Sequence, residues 1–98
     1  MSSVKNYKLV EGQFSPSDAT NILFALFNSK INFHQLESFR IQEKNFKNRD
    51  SIKHEERVEE LKEAYKFFKT LINEASDENM DLEIHGTIIL KPVVRIPK

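Results

Sequence analysis

Hydrophobic residues recur with helical spacing in the second half of the chain, and this is the clearest pattern in the sequence. Between Val58 and Ala75 the apolar positions are three or four residues apart, which is the periodicity of an amphipathic α-helix. A second apolar row widens the stripe at Ala64, Phe67 and Leu71. The pattern therefore predicts a long helix with a broad apolar face.

The segment after this stripe is predicted to be a capped helix end followed by a strand. Asn79 is a residue type that tolerates the left-handed conformation, so the helix should end there with Met80 folding back towards Ala75. From Asp81 to Leu90 apolar and polar residues alternate. This alternation is typical of a strand with one buried face and one wetter face.

The N-terminal part is predicted to form a strand over Val4–Phe14 and then a helix. Ser15 is a favourable N-cap residue, Pro16 suits the first helical position, and Asp18 stands three residues after the cap. These are the signals of a helix start. The helix is predicted over Pro16 to about Ser29.

Six consecutive apolar residues, Ile22–Phe27, lie inside this predicted helix. Six residues span more than one turn of 3.6 residues, so no single helix face can contain all of them. Exposed apolar surface on a small domain usually marks an interface, and a closed two-fold dimer is the commonest solution. We therefore expect a homodimer whose interface includes Leu23, Phe24, Leu26, Phe27, Phe67 and Leu71.

Residues 31–42 fit neither template well. Phe33 and Phe39 share one parity with Ile31 and Ile41, as in a strand, whereas Leu36 breaks that alternation. Phe33, Leu36 and Phe39 also recur every third residue but drift off a helical face. A strand with an irregularity near residues 36–38 is the favoured interpretation and a helix the alternative. Residues 43–51 are predicted to be a polar connector.

These elements assemble into a single α+β domain over residues 1–98. Their order is strand, helix, strand, helix, strand. The most economical architecture is a small, two-layer domain with a sheet of about three strands and both helices on one face.

Composition limits the classes of function. Charged residues make up 31% of the chain with a formal net charge of zero, which excludes a uniformly basic coat for nucleic acid. The chain has no Cys, so it forms neither disulfides nor thiolate zinc sites. With no apolar signal-peptide core and no membrane-length apolar run, a cytoplasmic protein is expected. Abundant Lys, Asn, Ile and Phe would suit a bacterial genome of low GC content.

Candidate catalytic or metal-binding residues are sparse. His34, His54 and His85 are widely spaced, whereas helical metal sites usually place two histidines four residues apart. An acidic run on the second helix consists of Glu55, Glu56, Glu59, Glu60 and Glu63. Basic residues are interleaved with it, so it is interpreted as a solvated face. We expect no cofactor, no metal and no enzymatic activity. The alternative of a small enzyme at a dimer junction would first implicate His34 and His85.

A basic stretch offers a second alternative. Arg40, Lys44, Lys47 and Arg49 lie close together in the sequence, with Phe39 and Phe46 interleaved. Basic side chains neutralise phosphates, and exposed aromatic rings stack on unpaired bases. The favoured function is a non-enzymatic interaction module that acts as a homodimer and could also bind another protein. Nucleic-acid binding through these residues is kept as the alternative.

Overall fold

Two long helices and two strands make up the part of the chain that the computed structural model describes, which is residues 3–44 and 49–95. In chain order they are strand β1 (Lys5–Phe14), helix α1 (Pro16–Lys44), helix α2 (Arg49–Asp77) and strand β2 (Leu82–Leu90). The side chain of Lys44 lies outside the described set, as do residues 45–48 of the predicted connector. The fold therefore belongs to the α+β class.

Helix α1 begins where the sequence predicts. The Ser15 side-chain Oγ accepts a hydrogen bond from the Asp18 backbone N–H at 3.1 Å, and the Ser15 carbonyl accepts the first helical bond from Ala19 at 2.8 Å. This is the geometry of an N-cap, in which a side-chain oxygen satisfies an otherwise unpaired N–H.

Replacing Ser15 by Ala is expected to lower the free energy of unfolding by about 1 kcal/mol, the usual cost of losing an N-cap. Urea denaturation measures the change. Ser17→Ala is the matched control, because Ser17 is an exposed serine in the first turn. Equal stability of the two variants would show that the cap contributes nothing.

The predicted end of α1 near Ser29 is wrong, and so is the predicted strand over residues 31–42. Helix α1 continues without a break to Lys44 and is 29 residues long, or about 44 Å. No Gly or Pro follows Pro16 within it. The positions turned towards α2 recur at spacings of three and four: Phe27, Ile31, His34, Ser38 and Ile41. Two of them, His34 and Ser38, are polar and obscure the apolar pattern.

The two helices form an antiparallel hairpin. Side-chain contacts descend α2 as they ascend α1: Phe27 contacts Phe68, His34 contacts His54, and Ser38 contacts Ser51. The contacts advance by seven and then four residues along α1 while they return by fourteen and then three along α2. The helices therefore run side by side along most of their length.

Helix α2 ends as the sequence predicts. Asn79 has a positive φ of 56°. The Met80 N–H donates to the Ala75 carbonyl at 2.8 Å, and the Asn79 N–H donates to the Ser76 carbonyl at 3.2 Å. These two bonds define a Schellman closure, and the left-handed residue between them turns the chain into β2.

Strands β1 and β2 bring the two ends of the described chain together as an antiparallel ribbon. The register pairs Phe14 with Leu82 at one end and Lys5 with Leu90 at the other. The register shifts between Lys8 and Val10, so Leu9 forms a bulge. Both strands were predicted, with bounds that differ by one residue.

The predicted three-stranded sheet is wrong, because the segment assigned to its middle strand is helical. In the described chain the sheet has two strands in the order β1-β2. The helices pack chiefly against each other, and they meet the ribbon at one end of the hairpin, where Leu23, Ile72 and Leu82 line a shared cleft. The helices were expected to cover one face of the sheet, but within the described residues they contact the ribbon only at this junction.

The resulting molecule is long and thin. Its Cα atoms extend 54 × 38 × 14 Å, with a radius of gyration of 17.4 Å. A compact domain of this length has a radius of gyration of about 13 Å. The thin dimension leaves little depth for an interior.

Candidate interaction surface

The interior of the single chain is very small. Among the described residues, the apolar side chains that are fully buried are Ala19, Val58 and Ile72. The accessible surface is 8309 Å², whereas a compact monomer of 11.5 kDa exposes about 5,800 Å². The chain thus exposes roughly 2,500 Å² more than a compact fold of its mass.

One side of the helical hairpin carries a row of apolar side chains. Leu26 and Leu61 line a shared groove with Lys30, and Phe33 lies seven residues after Leu26 on the same side of α1. On α2 the apolar row continues at spacings of three and four. We call this surface the hairpin face, and it consists of Leu26, Phe33, Leu61, Ala64, Phe68 and Leu71.

The hairpin face continues into a cleft against the ribbon. This cleft has a volume of about 310 Å³ and is lined mainly by apolar side chains. Phe68 and Leu71 of the hairpin face lie on one wall, and Leu82 and Ile84 of β2 lie on the other. The apolar surface therefore extends from the middle of the hairpin to the sheet.

The opposite side of the hairpin is polar near the connector. Gln42 Nε2 donates to Ser51 Oγ at 2.9 Å and to Glu55 Oε2 at 2.7 Å. Ser38 is buried and its Oγ also donates to Glu55 Oε2, at 3.2 Å. An open depression of about 420 Å³ lies beside this cluster, with Lys62 on its rim. The two sides of the hairpin thus differ in chemistry.

The six residues predicted for an interface do not share one surface. Leu26 and Leu71 belong to the hairpin face. Phe24 lies on the other side of the seam, with its ring against Tyr65. Phe67 is 64% exposed and lies half a turn away from Val58 around α2. Leu23 and Phe27 are half-buried: Leu23 lines the cleft beside β2, and the Phe27 ring packs against Tyr65 and Phe68 of α2.

The half of the ribbon far from the helices is uncovered on both faces. Residues Lys5 to Leu9 and Thr87 to Leu90 are all exposed. Tyr7 pairs with Ile88, and side chains of a cross-strand pair lie on the same face. Ile88 shares the parity of Leu82 and Ile84, so the face that meets the helices continues outwards as exposed apolar surface.

A histidine pair lies in the seam of the hairpin. The Nδ1 atoms of His34 and His54 are 2.8 Å apart, a distance at which one ring must donate its proton to the other. His34 Nε2 is buried and has no hydrogen-bond partner among the described residues. The pKa of His34 is lowered by burial of the ring and then by the positive charges of Lys30, His54 and Arg57, with Glu37 acting in the opposite direction.

This pair makes the stability of the hairpin depend on pH. The unfolded chain has the ordinary His pKa of 6.5, and the folded pKa of His34 is lower, so folding favours the neutral ring. The contribution of neutral His34 to the free energy of unfolding is fully present above about pH 6.5, and it is lost as the pH falls towards the folded pKa.

We expect His34→Gln to reduce the loss of stability between about pH 7.5 and pH 5.5, because glutamine stays neutral across this range. The change in urea midpoint between the two pH values measures it. His85→Gln is the control, since His85 is exposed and lies beside Glu83. The same pH dependence in wild type and in His34→Gln would contradict the assignment.

The other candidate residues are dispersed. His34 lies on α1 and not on a predicted strand, so its expected alignment with His85 along two strands is wrong. Arg40 pairs with Glu37 at 3.0 Å, and Arg49 begins α2. Lys47 and the side chain of Lys44 lie outside the described residues. Nucleic-acid binding by this stretch stays a prediction.

The acidic run on α2 is largely exposed, as expected of a solvated face. Glu59, Glu60 and Glu63 have side chains at least 66% exposed and pair with basic residues three positions away. Glu55 instead belongs to the polar cluster near the connector. Surface pairs of this kind contribute little to stability.

The chain matches no protein-family model, no curated protein and no solved structure. Within residues 3–44 and 49–95, neither helix is apolar enough over a sufficient length to cross a membrane.

Proposed function

We propose that the protein is a non-enzymatic interaction module that acts as a homodimer, in which a second copy covers the hairpin face. The excess of exposed surface carries this proposal. Specific interfaces bury about 800 Å² on each partner, and obligate dimers bury more. The excess of roughly 2,500 Å² is large enough for an obligate interface.

The chemistry of the hairpin face supports a protein partner. Its exposed positions are Leu and Phe, and Lys30 stands over the Phe33 ring at 5.3 Å. Interface cores are rich in aromatic residues and poor in charged ones. The opposite side carries the hydrogen-bonded cluster of Ser, Gln and Glu side chains near the connector.

We favour a second copy as the partner, because copies of the same chain are the partners always available to cover this surface. Three fully buried apolar side chains within the described residues supply little stability to a 98-residue domain, since burying one such side chain contributes about 1.5–3 kcal/mol. Association of two copies adds an apolar core that the single chain lacks. We also propose a cytoplasmic location, on the cysteine-free composition alone.

Single-cysteine variants test this proposal, because the native chain has no Cys. Leu26→Cys lies on the hairpin face. Leu36→Cys is the matched control, nine residues after Phe27 and therefore on the side of α1 that points away from α2. We expect a maleimide to react about tenfold more slowly at the first position than at the second, and dilution to abolish the difference by mass action.

Equal reaction rates at both positions, at high and low protein concentration, would show that no second copy covers the hairpin face. Circular dichroism of both variants controls for loss of helix. Protection that does not change on dilution, in a species with the mass of one chain, would also contradict the proposal.

A further inference from the structure

The two edges of the ribbon differ in how well they are protected against pairing. The free edge of β1 carries Lys5 and Lys8, a bulge at Leu9, and Gly12 with a φ of 145°. Lysines and bulges are the devices by which edge strands avoid adding another strand. Strand β1 is therefore a poor template for a further strand.

The free edge of β2 has none of these devices over most of its length. The strand is nine residues long, and its sequence from Ile84 to Leu90 contains no Lys, Arg, Asp, Glu or Pro. Its outer end exposes Ile88, Ile89 and Leu90, with exposed fractions of 51%, 65% and 69%. A regular, uncharged and apolar edge is the type that recruits another strand.

We propose that β2 pairs antiparallel with β2 of a second copy about a two-fold axis at Gly86, which makes a four-stranded sheet in the order β1-β2-β2-β1. This inference rests on the proposed homodimer and adds the free edge of β2 to its interface. Gly86 is the midpoint of Leu82–Leu90, so this register pairs all nine residues of each strand.

The register also covers the exposed half of the ribbon. Antiparallel pairing about this axis places Leu90 opposite Leu82 of the partner subunit, and Ile88 opposite Ile84 of the partner subunit. Leu82 and Ile84 line the cleft beneath the helices. The uncovered end of each ribbon therefore lies beside the helix-covered end of the other.

The symmetry places both helical hairpins on the same side of the sheet. A two-fold axis that relates adjacent antiparallel strands runs perpendicular to the sheet, so it preserves the face on which the helices pack. The exposed face formed by Tyr7, Ile88 and Leu90 then points towards the layer that holds the helices of the partner subunit. Edge pairing and burial of apolar surface reinforce each other.

Distances between spin labels test this geometry in the full chain. Labels attached to Glu83→Cys and to Ile89→Cys each lie three residues from Gly86, on opposite sides of the axis. In the dimer, the labelled residue of one copy is then displaced by six residues along the strand direction from the same residue of the other copy. This displacement is about 20 Å between backbones. Pulsed electron paramagnetic resonance should therefore give the same distance for both variants.

Asn6→Cys is the control on the other strand. Asn6 pairs with Ile89 and therefore lies on the same face, but one strand further from the axis. Two more strand spacings then separate its copies, which gives about 25 Å between backbones. The Asn6 distance should exceed the Ile89 distance by a few ångströms. Pairing through β1 would reverse this order.

Light scattering of the unlabelled chain separates the two levels of the proposal. A dimer with equal Glu83 and Ile89 distances, and a longer Asn6 distance, supports both the homodimer and the edge pairing. A dimer with unequal Glu83 and Ile89 distances, or with the shortest distance at Asn6, overturns the edge pairing alone. A mass of 11.5 kDa overturns both.

Discussion

Replacing Phe33 by Glu is expected to convert the dimer into separate chains, whereas Phe39→Glu on the same helix leaves it associated. Phe33 is half exposed at 50% and lies at the connector end of the hairpin face, with its ring near Lys30 and His54. The substitution removes an aromatic anchor and places a carboxylate where the second copy must exclude water. A loss of about 4 kcal/mol, or roughly a thousandfold in affinity, is expected.

The two positions are well matched. Phe39 is 62% exposed but lines the polar depression on the other side of the hairpin, with Gln35 and Lys62. Sedimentation equilibrium of both variants measures the change, and circular dichroism confirms that the helices persist. Phe33→Ala provides a second variant without a new charge and should weaken association less. An undisturbed dimer in Phe33→Glu would remove Phe33 from the interface.

Replacing Ile72 by Ala should cost the fold about 2–4 kcal/mol of unfolding free energy, through lost apolar burial and an unfilled cavity. Ile72 is 4% exposed, and it lines the cleft between the helices and β2. A domain with so few buried residues has little stability to lose. The variant is therefore expected to be largely unfolded at body temperature.

Ile52→Ala is the matched control, because Ile52 is the same residue type on the same helix and is 42% exposed. We expect its cost to be below about 1 kcal/mol, as for a surface position. Urea denaturation at one fixed protein concentration gives both values, since dimer formation makes stability concentration-dependent. Equal costs at the two positions would contradict the assignment of Ile72 to the core.

The contrast between α1 and α2 shows what local pattern can predict. Ser15 and Pro16 mark the start of α1, and Asn79 marks the end of α2, because caps depend on residues within a few positions of one another. The second half of α1 was missed because His34 and Ser38 occupy positions turned towards α2. Polar residues at inward positions erase the apolar period by which a helix is recognised.

The histidine pair illustrates a signal that the sequence did contain. Phe27, His34 and Ile41 are each seven residues apart, a spacing that keeps them on one face of a helix that packs against another. Its partner His54 could not be identified in this way, because the antiparallel alignment of two helices depends on the length of the connector. The polar cluster of Ser38, Gln42 and Ser51 was missed for the same reason.

The sequence predicted that apolar residues are exposed, but it did not predict which of them share one surface. The run Ile22–Phe27 indicated more apolar surface than one helix face holds, and Phe24 and Leu26 are exposed in the single chain. Residues two positions apart differ by about 200° around a helix, so Phe24 and Leu26 lie on opposite sides of the seam. The pairing of β1 with β2 joins residues 68 to 85 positions apart, and local pattern carries no information about such contacts.

Sedimentation equilibrium of the native chain, over concentrations from about 1 to 100 µM, tests most directly whether a second copy hides the surface that one chain leaves exposed. We predict a species of twice the 11.5 kDa chain mass across the upper part of this range. A single species with the mass of one chain at every concentration would contradict the homodimer and the interface built on it.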